Sequence, residues 1–199
     1  MKKLLFVMCL LLVCGCSVVR IDTNDIDNII SVVLSKDNTL YNQIGKGYKY
    51  YVPRGVSYMD TKDYNDVLYS NGNYYYLYID VISYYYDVVS EYTIDNNAYY
   101  SRVVDINGKK GYLEINKQEN GRYFIEFMYN YAKIEVIADY EDINDIILNS
   151  SYILSTVKFN DKVIKTILDD EFLVIEEKYD IFTSKKETND FLKLDDEVE

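Results

Sequence analysis

The chain of 199 residues has no histidine, no tryptophan, one proline and three cysteines. Each shortage removes something. Without histidine, serine catalysis is left with Ser-Lys pairs, and general acid-base work falls to carboxylates, tyrosine and lysine. Without tryptophan, a carbohydrate-binding reading loses its most common ring. A single proline, Pro53, leaves no proline-rich linker to divide the chain. Basic residues are also few, 21 Lys and Arg against 33 Asp and Glu, for a formal charge of −12. That balance argues against a nucleic-acid partner, whose affinity comes from cations neutralising phosphates. What is present points to one globular domain with short appendages: 49% of the residues are hydrophobic, too many for a disordered chain.

The three cysteines, Cys9, Cys14 and Cys16, all lie in the first sixteen residues. Lys2 and Lys3 form a short positive start, and Leu4 to Val13 is an unbroken apolar run. The run has the length of a signal-peptide core and falls short of the ~18 residues a spanning helix needs. It ends in Val13-Cys14-Gly15-Cys16, which resembles the lipobox of bacterial lipoproteins. That resemblance implies diacylglyceryl transfer to the Cys16 thiol and cleavage between Gly15 and Cys16. The same run also reads as an ordinary secretion signal or an uncleaved apolar helix. With Cys16 acylated, the mature chain has no free thiol, hence no disulfide, no thiolate catalysis and no cysteine-based zinc site. Loss of Lys2 and Lys3 makes the charge two units more negative, so attachment to an anionic membrane must come from the acyl chains.

The expected organisation is a signal peptide over residues 1–15, the lipidated cysteine and a short tether over 16–23, one domain over 24–183 with a C-terminal extension from 160, and an acidic tail over 184–199. The tether reaches at most ~25 Å, which keeps the domain near the surface that holds it. Asp25 to Ser35 reads as a helix, with Ile26, Ile29, Ile30 and Val33 on one side. The period then changes to two. Strands are expected at Tyr48 to Val52, Val67 to Ser70, Tyr74 to Ile82, Tyr99 to Ile106, Tyr112 to Lys117, Arg122 to Tyr129 and Lys133 to Ala138. Their turns are expected at Asn71-Gly72-Asn73, Asn107-Gly108, Glu119-Asn120-Gly121 and near Asn130. Helices follow at Glu141 to Thr156 and Asp161 to Leu168, and Phe172 to Phe182 is expected to lie extended. This order predicts an α+β fold, an α/β/α sandwich around a mostly antiparallel sheet of about six strands.

Two short stretches carry a second resemblance. Lys49-Tyr50-Tyr51-Val52-Pro53-Arg54-Gly55-Val56 is similar to the opening strand of PsbP-like domains, with Val56 where those have tryptophan. Ile153-Leu154-Ser155-Thr156-Val157-Lys158-Phe159 is similar to the end of their last long helix. The resemblance implies an α/β/α sandwich that serves for binding or scaffolding, as in many lipoproteins and in photosystem accessory subunits. It carries over no functional residue.

Tyrosine is the compositional excess, at 24 residues. In Tyr74-Tyr75-Tyr76-Leu77-Tyr78-Ile79-Asp80, alternation puts Tyr74, Tyr76 and Tyr78 on one strand face. This face reads as an exposed aromatic platform for a sugar, peptide or protein. It also reads as a packed face under the second layer of a sandwich. Tyr84-Tyr85-Tyr86 and Tyr99-Tyr100 fall near strand ends, where a patch at loop level is expected. Glu126 and Glu135 lie on neighbouring strands, and a glycosidase needs two carboxyls ~5–9 Å apart across a cleft. Ser155 and Lys158 have Ser-x-x-Lys spacing at a helix end. Asp22 to Asp27 is rich in calcium-ligand types but lacks the EF-hand glycine, while Asp95-Asn96-Asn97 and Asp105 to Gly108 read as turns. No metal site and no cofactor is expected. The expected function is a non-catalytic, lipid-anchored binding or accessory module on the extracytoplasmic face of a bacterial envelope, attached through acylated Cys16. A carboxylate-based cell-wall hydrolase and a solute-receptor lipoprotein of a transporter are the alternatives.

Overall fold

A computed structural model describes residues 20–62, 65–89 and 91–171. The apolar run, Gly15, Cys16, most of the tether and the segments expected after residue 171 lie outside the described residues. Helix α1 (Ile26–Leu34) begins at Asp25, whose carboxylate accepts the Asp27 N–H, and it buries Ile29, Ile30, Val33 and Leu34. Three short strands form a small antiparallel sheet: β1 (Gln43–Ile44), β2 (Tyr48–Tyr50) and, late in the chain, β10 (Lys158–Phe159). The main sheet has seven strands: β3 (Ser57–Lys62), β4 (Asn65–Ser70), β5 (Asn73–Ile79), β6 (Tyr100–Ile106), β7 (Lys109–Lys117), β8 (Tyr123–Tyr129) and β9 (Ala132–Ala138). Their spatial order is β3-β4-β5-β9-β8-β7-β6, and every pairing is antiparallel.

Three two-residue turns set the register. Asn71-Gly72, Asn107-Gly108 and Asn130-Tyr131 all have positive φ at both positions, the backbone that a twisted hairpin needs. They pair Ser70 with Asn73, Ile106 with Lys109 and Tyr129 with Ala132. Side-chain parity along every central strand follows from those pairs. One phase points to the helices. Leu77, Leu113, Ile125, Phe127, Ile134 and Val136 pack there with α1 and with α3 (Ile143–Thr156), in one core. At its edge, Arg102 of β6 meets Asp27 of α1 at 2.5 Å.

The α+β class expected from the sequence holds, around an antiparallel sheet of seven strands where about six were expected. Helices α1 and α3 pack on one face. On the other, Tyr92 covers the sheet, its ring stacked on Tyr112 at 4.1 Å. A second helical layer is not among the described residues. The strand expected to run to Ile82 ends at Ile79, because Asp80 accepts the Ser83 N–H and caps a short helix, α2 (Val81–Tyr85). Strand β3 was not anticipated. Ser57 to Thr61 are exposed, and the strand lies at the edge of the described sheet with a register shift between Tyr58 and Asp60. Helix α4 (Asp161–Glu171) follows β10 and sends Ile164 into the core. The two stretches similar to PsbP-like domains meet in space: Lys158 pairs with Lys49, Phe159 with Tyr48, and the Tyr51 N–H donates to Thr156 Oγ1 at 2.9 Å.

Candidate functional site

Strand β5 separates its tyrosines by parity and then by position. Tyr75 joins Leu77 and Ile79 in the core under the helices. Of the three on the other phase, Tyr74 is 46% exposed, but Tyr76 and Tyr78 are only 7% and 5% exposed. The expected platform of three exposed rings is therefore corrected to Tyr74 alone. Tyr76 and Tyr78 belong to a second cluster with Tyr112 and Met128, flanked by Val67, Tyr92, Phe124 and Ile137. Every strand of this part of the sheet places large side chains on both faces, so both faces close. Tyr78 also carries the Lys133 ammonium 5.3 Å from its ring centre.

The same far face holds the carboxylates. Register brings Glu114 of β7 opposite Glu126 of β8, and Glu126 opposite Glu135 of β9. Tyr76 of β5 continues the row beyond Glu135, and Ser101 of β6 ends it beyond Glu114. Tyr112 donates its hydroxyl to Glu126, and Tyr92 donates to Glu114. Lys133 lies 2.7 Å from Glu135 and 3.9 Å from Glu126. Burial pushes the Glu126 carboxyl above its ordinary range; Lys133 and the Tyr112 hydroxyl pull it back, and Glu135 and Glu114 push it further up. Burial, then the bond to Glu114, pushes the Tyr92 hydroxyl up to about 12. The adjacency of Glu126 and Glu135 expected from the sequence is thus a direct cross-strand pair, with Glu135 buried and Glu126 partly exposed beneath the Tyr112 hydroxyl.

One exposed aromatic cluster lies at the end of the sheet where β8 begins and β9 finishes. Tyr99, Tyr123 and Tyr140 form a triangle of edge-on and tilted rings, with centroids 5.0, 5.9 and 6.2 Å apart. Tyr123 is buried, whereas Tyr99 is 49% and Tyr140 60% exposed. Tyr74 starts β5 at this same end and leans on Tyr69 at 5.1 Å. Arg122 sits beside the triangle, donating to the Ile137 carbonyl at 2.7 Å and lying 3.7 Å from Asp139. Ring faces next to a guanidinium and a carboxylate can stack on and hydrogen-bond a polar ligand. The Tyr99-Tyr100 doublet marked this end in the sequence. Tyr140 did not stand out, because it joins the patch only through the turn after β9.

The remaining candidates are occupied locally. Ser155 donates to the Tyr152 carbonyl at 2.9 Å while Lys158 lies 3.8 Å from Asp37, so the two do not form a dyad. Asp22 accepts the Asn24 N–H, Asp25 caps α1 and Asp27 pairs with Arg102. Asp95 accepts the Asn97 N–H in a turn. Gly15 and Cys16 lie outside the described residues. Among those described, no helix is long and apolar enough to cross a membrane. No protein-family model matches the chain, and no curated protein or solved structure matches it either.

Proposed function

We propose that this chain is a lipid-anchored binding or accessory module on the extracytoplasmic face of a bacterial cell envelope, and that it is not an enzyme. The observation that carries the reading is the N-terminal string: two lysines, ten apolar residues, then Val13-Cys14-Gly15-Cys16. Acylation of Cys16 supplies the attachment, and the folded domain stands a short tether away. Its binding surface is the exposed tyrosine end, Tyr99 and Tyr140 with Tyr74 on its flank. The PsbP-like resemblance supports an accessory role, because the two stretches that carry it are neighbours in the fold. A hydrolase reading draws on the opposed Glu126 and Glu135. Against it stands the burial of Glu135, 3% exposed, which keeps one of the two carboxyls from a polymer strand.

The test is Cys16→Ala expressed in native cells. The protein is expected to leave the membrane fraction or to accumulate as uncleaved precursor. Normal maturation with full membrane retention would overturn the lipoprotein reading. Crosslinking of the tagged, lipidated protein, compared with its Tyr99→Ala/Tyr140→Ala form, tests the surface: a partner captured equally by both forms binds elsewhere.

A further inference from the structure

Among the described residues, the carboxylate row on the far face is not balanced by the groups around it. Glu114 accepts from the Tyr92 hydroxyl and, at 2.6 Å, from the Asn116 amide. Glu126 accepts from Tyr112 through one oxygen and faces Lys133 with the other. Glu135 is held by Lys133 through Oε1, but its Oε2 is buried and has no hydrogen-bond donor among the described residues. Glu126 and Glu135 stand directly opposite each other, an arrangement in which like charges destabilise a sheet. The groups facing the pair are Tyr76 and Tyr78 from β5, Lys133 from β9, Tyr112 and Glu114 from β7, and Tyr92.

One proton removes both defects. It leaves a single negative charge on the pair, which Lys133 balances. It also supplies an O–H donor to Glu135 Oε2. We propose that Glu126 and Glu135 share one proton and form, with Lys133, a charge-balanced carboxyl pair beneath the tyrosines. Two carboxyls in one buried site disfavour each other's ionisation, and a proton held there belongs to the pair, not to either residue. The burial that pushes the Glu126 carboxyl upward acts in the same direction. The sign of the effect on folding follows. The folded chain keeps this proton where the unfolded chain has released it. Stability from the pair is therefore full below the ordinary glutamate range and is lost as pH rises through the pair's own titration.

The test is a carboxyl carbon-13 NMR titration of the full-length chain, labelled at glutamate, in mild detergent. One glutamate signal is expected to stay protonated beyond the ordinary value of about 4.3. It should vanish in both Glu126→Gln and Glu135→Gln. The Glu126→Gln amide keeps an acceptor for Tyr112 and offers an N–H to Glu135, so this variant is expected to fold and to melt about 2–4 °C higher than the parent at pH 8. If all glutamates titrate in the ordinary range, or if the late signal survives either substitution, the shared proton is overturned. The wild-type titration alone decides the matter should Glu135→Gln fail to fold.

Discussion

Tyr74 and Tyr76 lie two residues apart on one strand face, and truncation separates them. Tyr76→Ala empties a packed site and is expected to cost about 3–5 kcal/mol, as other buried aromatic truncations do. Tyr74→Ala removes a half-exposed ring and should stay within about 1 kcal/mol. Urea unfolding of both variants measures the difference, and equal small losses would put Tyr76 outside the core. The sequence showed that these two rings share a face. It did not show that the face is closed. An amphipathic strand announces its solvent side with polar residues; here Tyr, Leu, Tyr, Ile and Val fill both phases. Tyrosine also has an apolar body and a polar tip, so it is at home on either side. Glu135 was hidden for the opposite reason. A glutamate on the outward phase of a strand reads as a solvated residue, and only Lys133 beside it hints at burial.

At the scale of elements, β7 and β8 approach closely because position 111 is glycine. A Cβ there would collide with the Met128 carbonyl oxygen on the neighbouring strand. Glycine inside a strand marks such a close approach. Gly111→Ala is expected to cost about 1–3 kcal/mol through forced separation of the two strands. Calorimetry checks this, and an unchanged melting temperature would mean that the hairpin simply gives way. The central elements were legible for local reasons. Asn-Gly pairs announced two hairpins, and Ile29, Ile30, Val33, Ile146, Ile147 and Leu154 marked the packing sides of α1 and α3. Elements whose existence depends on distant partners were not legible. β10 has two residues and forms because Lys158 and Phe159 meet Lys49 and Tyr48, more than a hundred positions earlier. β3 has a solvent-edge sequence, and α2 depends on one capping carboxylate, Asp80. The tyrosine triangle has the same origin, since Tyr123 opens β8 while Tyr99 precedes β6 and Tyr140 follows β9, and only the sheet brings these three places together.

For the molecule as a whole, the tyrosines set an alkaline limit. Burial pushes the hydroxyls of Tyr75, Tyr92, Tyr100, Tyr129 and Tyr131 from 10.0 up to about 12, with Asp27 adding to the effect at Tyr100 and Asp87 at Tyr131. Between those values the folded chain keeps protons that the unfolded chain has lost. Stability from these groups is therefore intact below pH 10 and falls as pH rises toward 12. Melting temperatures measured from about pH 8 to 12 should hold level and then drop steeply above 10. A level curve to the end would mean the phenols are hydrated in the fold. The edge strand β3 bears on the molecule in company. Among the described residues β3 is an outer strand, and an outer strand is a template on which a second copy can add, an addition that concentration drives. The register shift between Tyr58 and Asp60 breaks the regular ladder, and Asp60 brings charge to the rim. The bend therefore protects each copy from polymerising with its neighbours, however densely they are crowded.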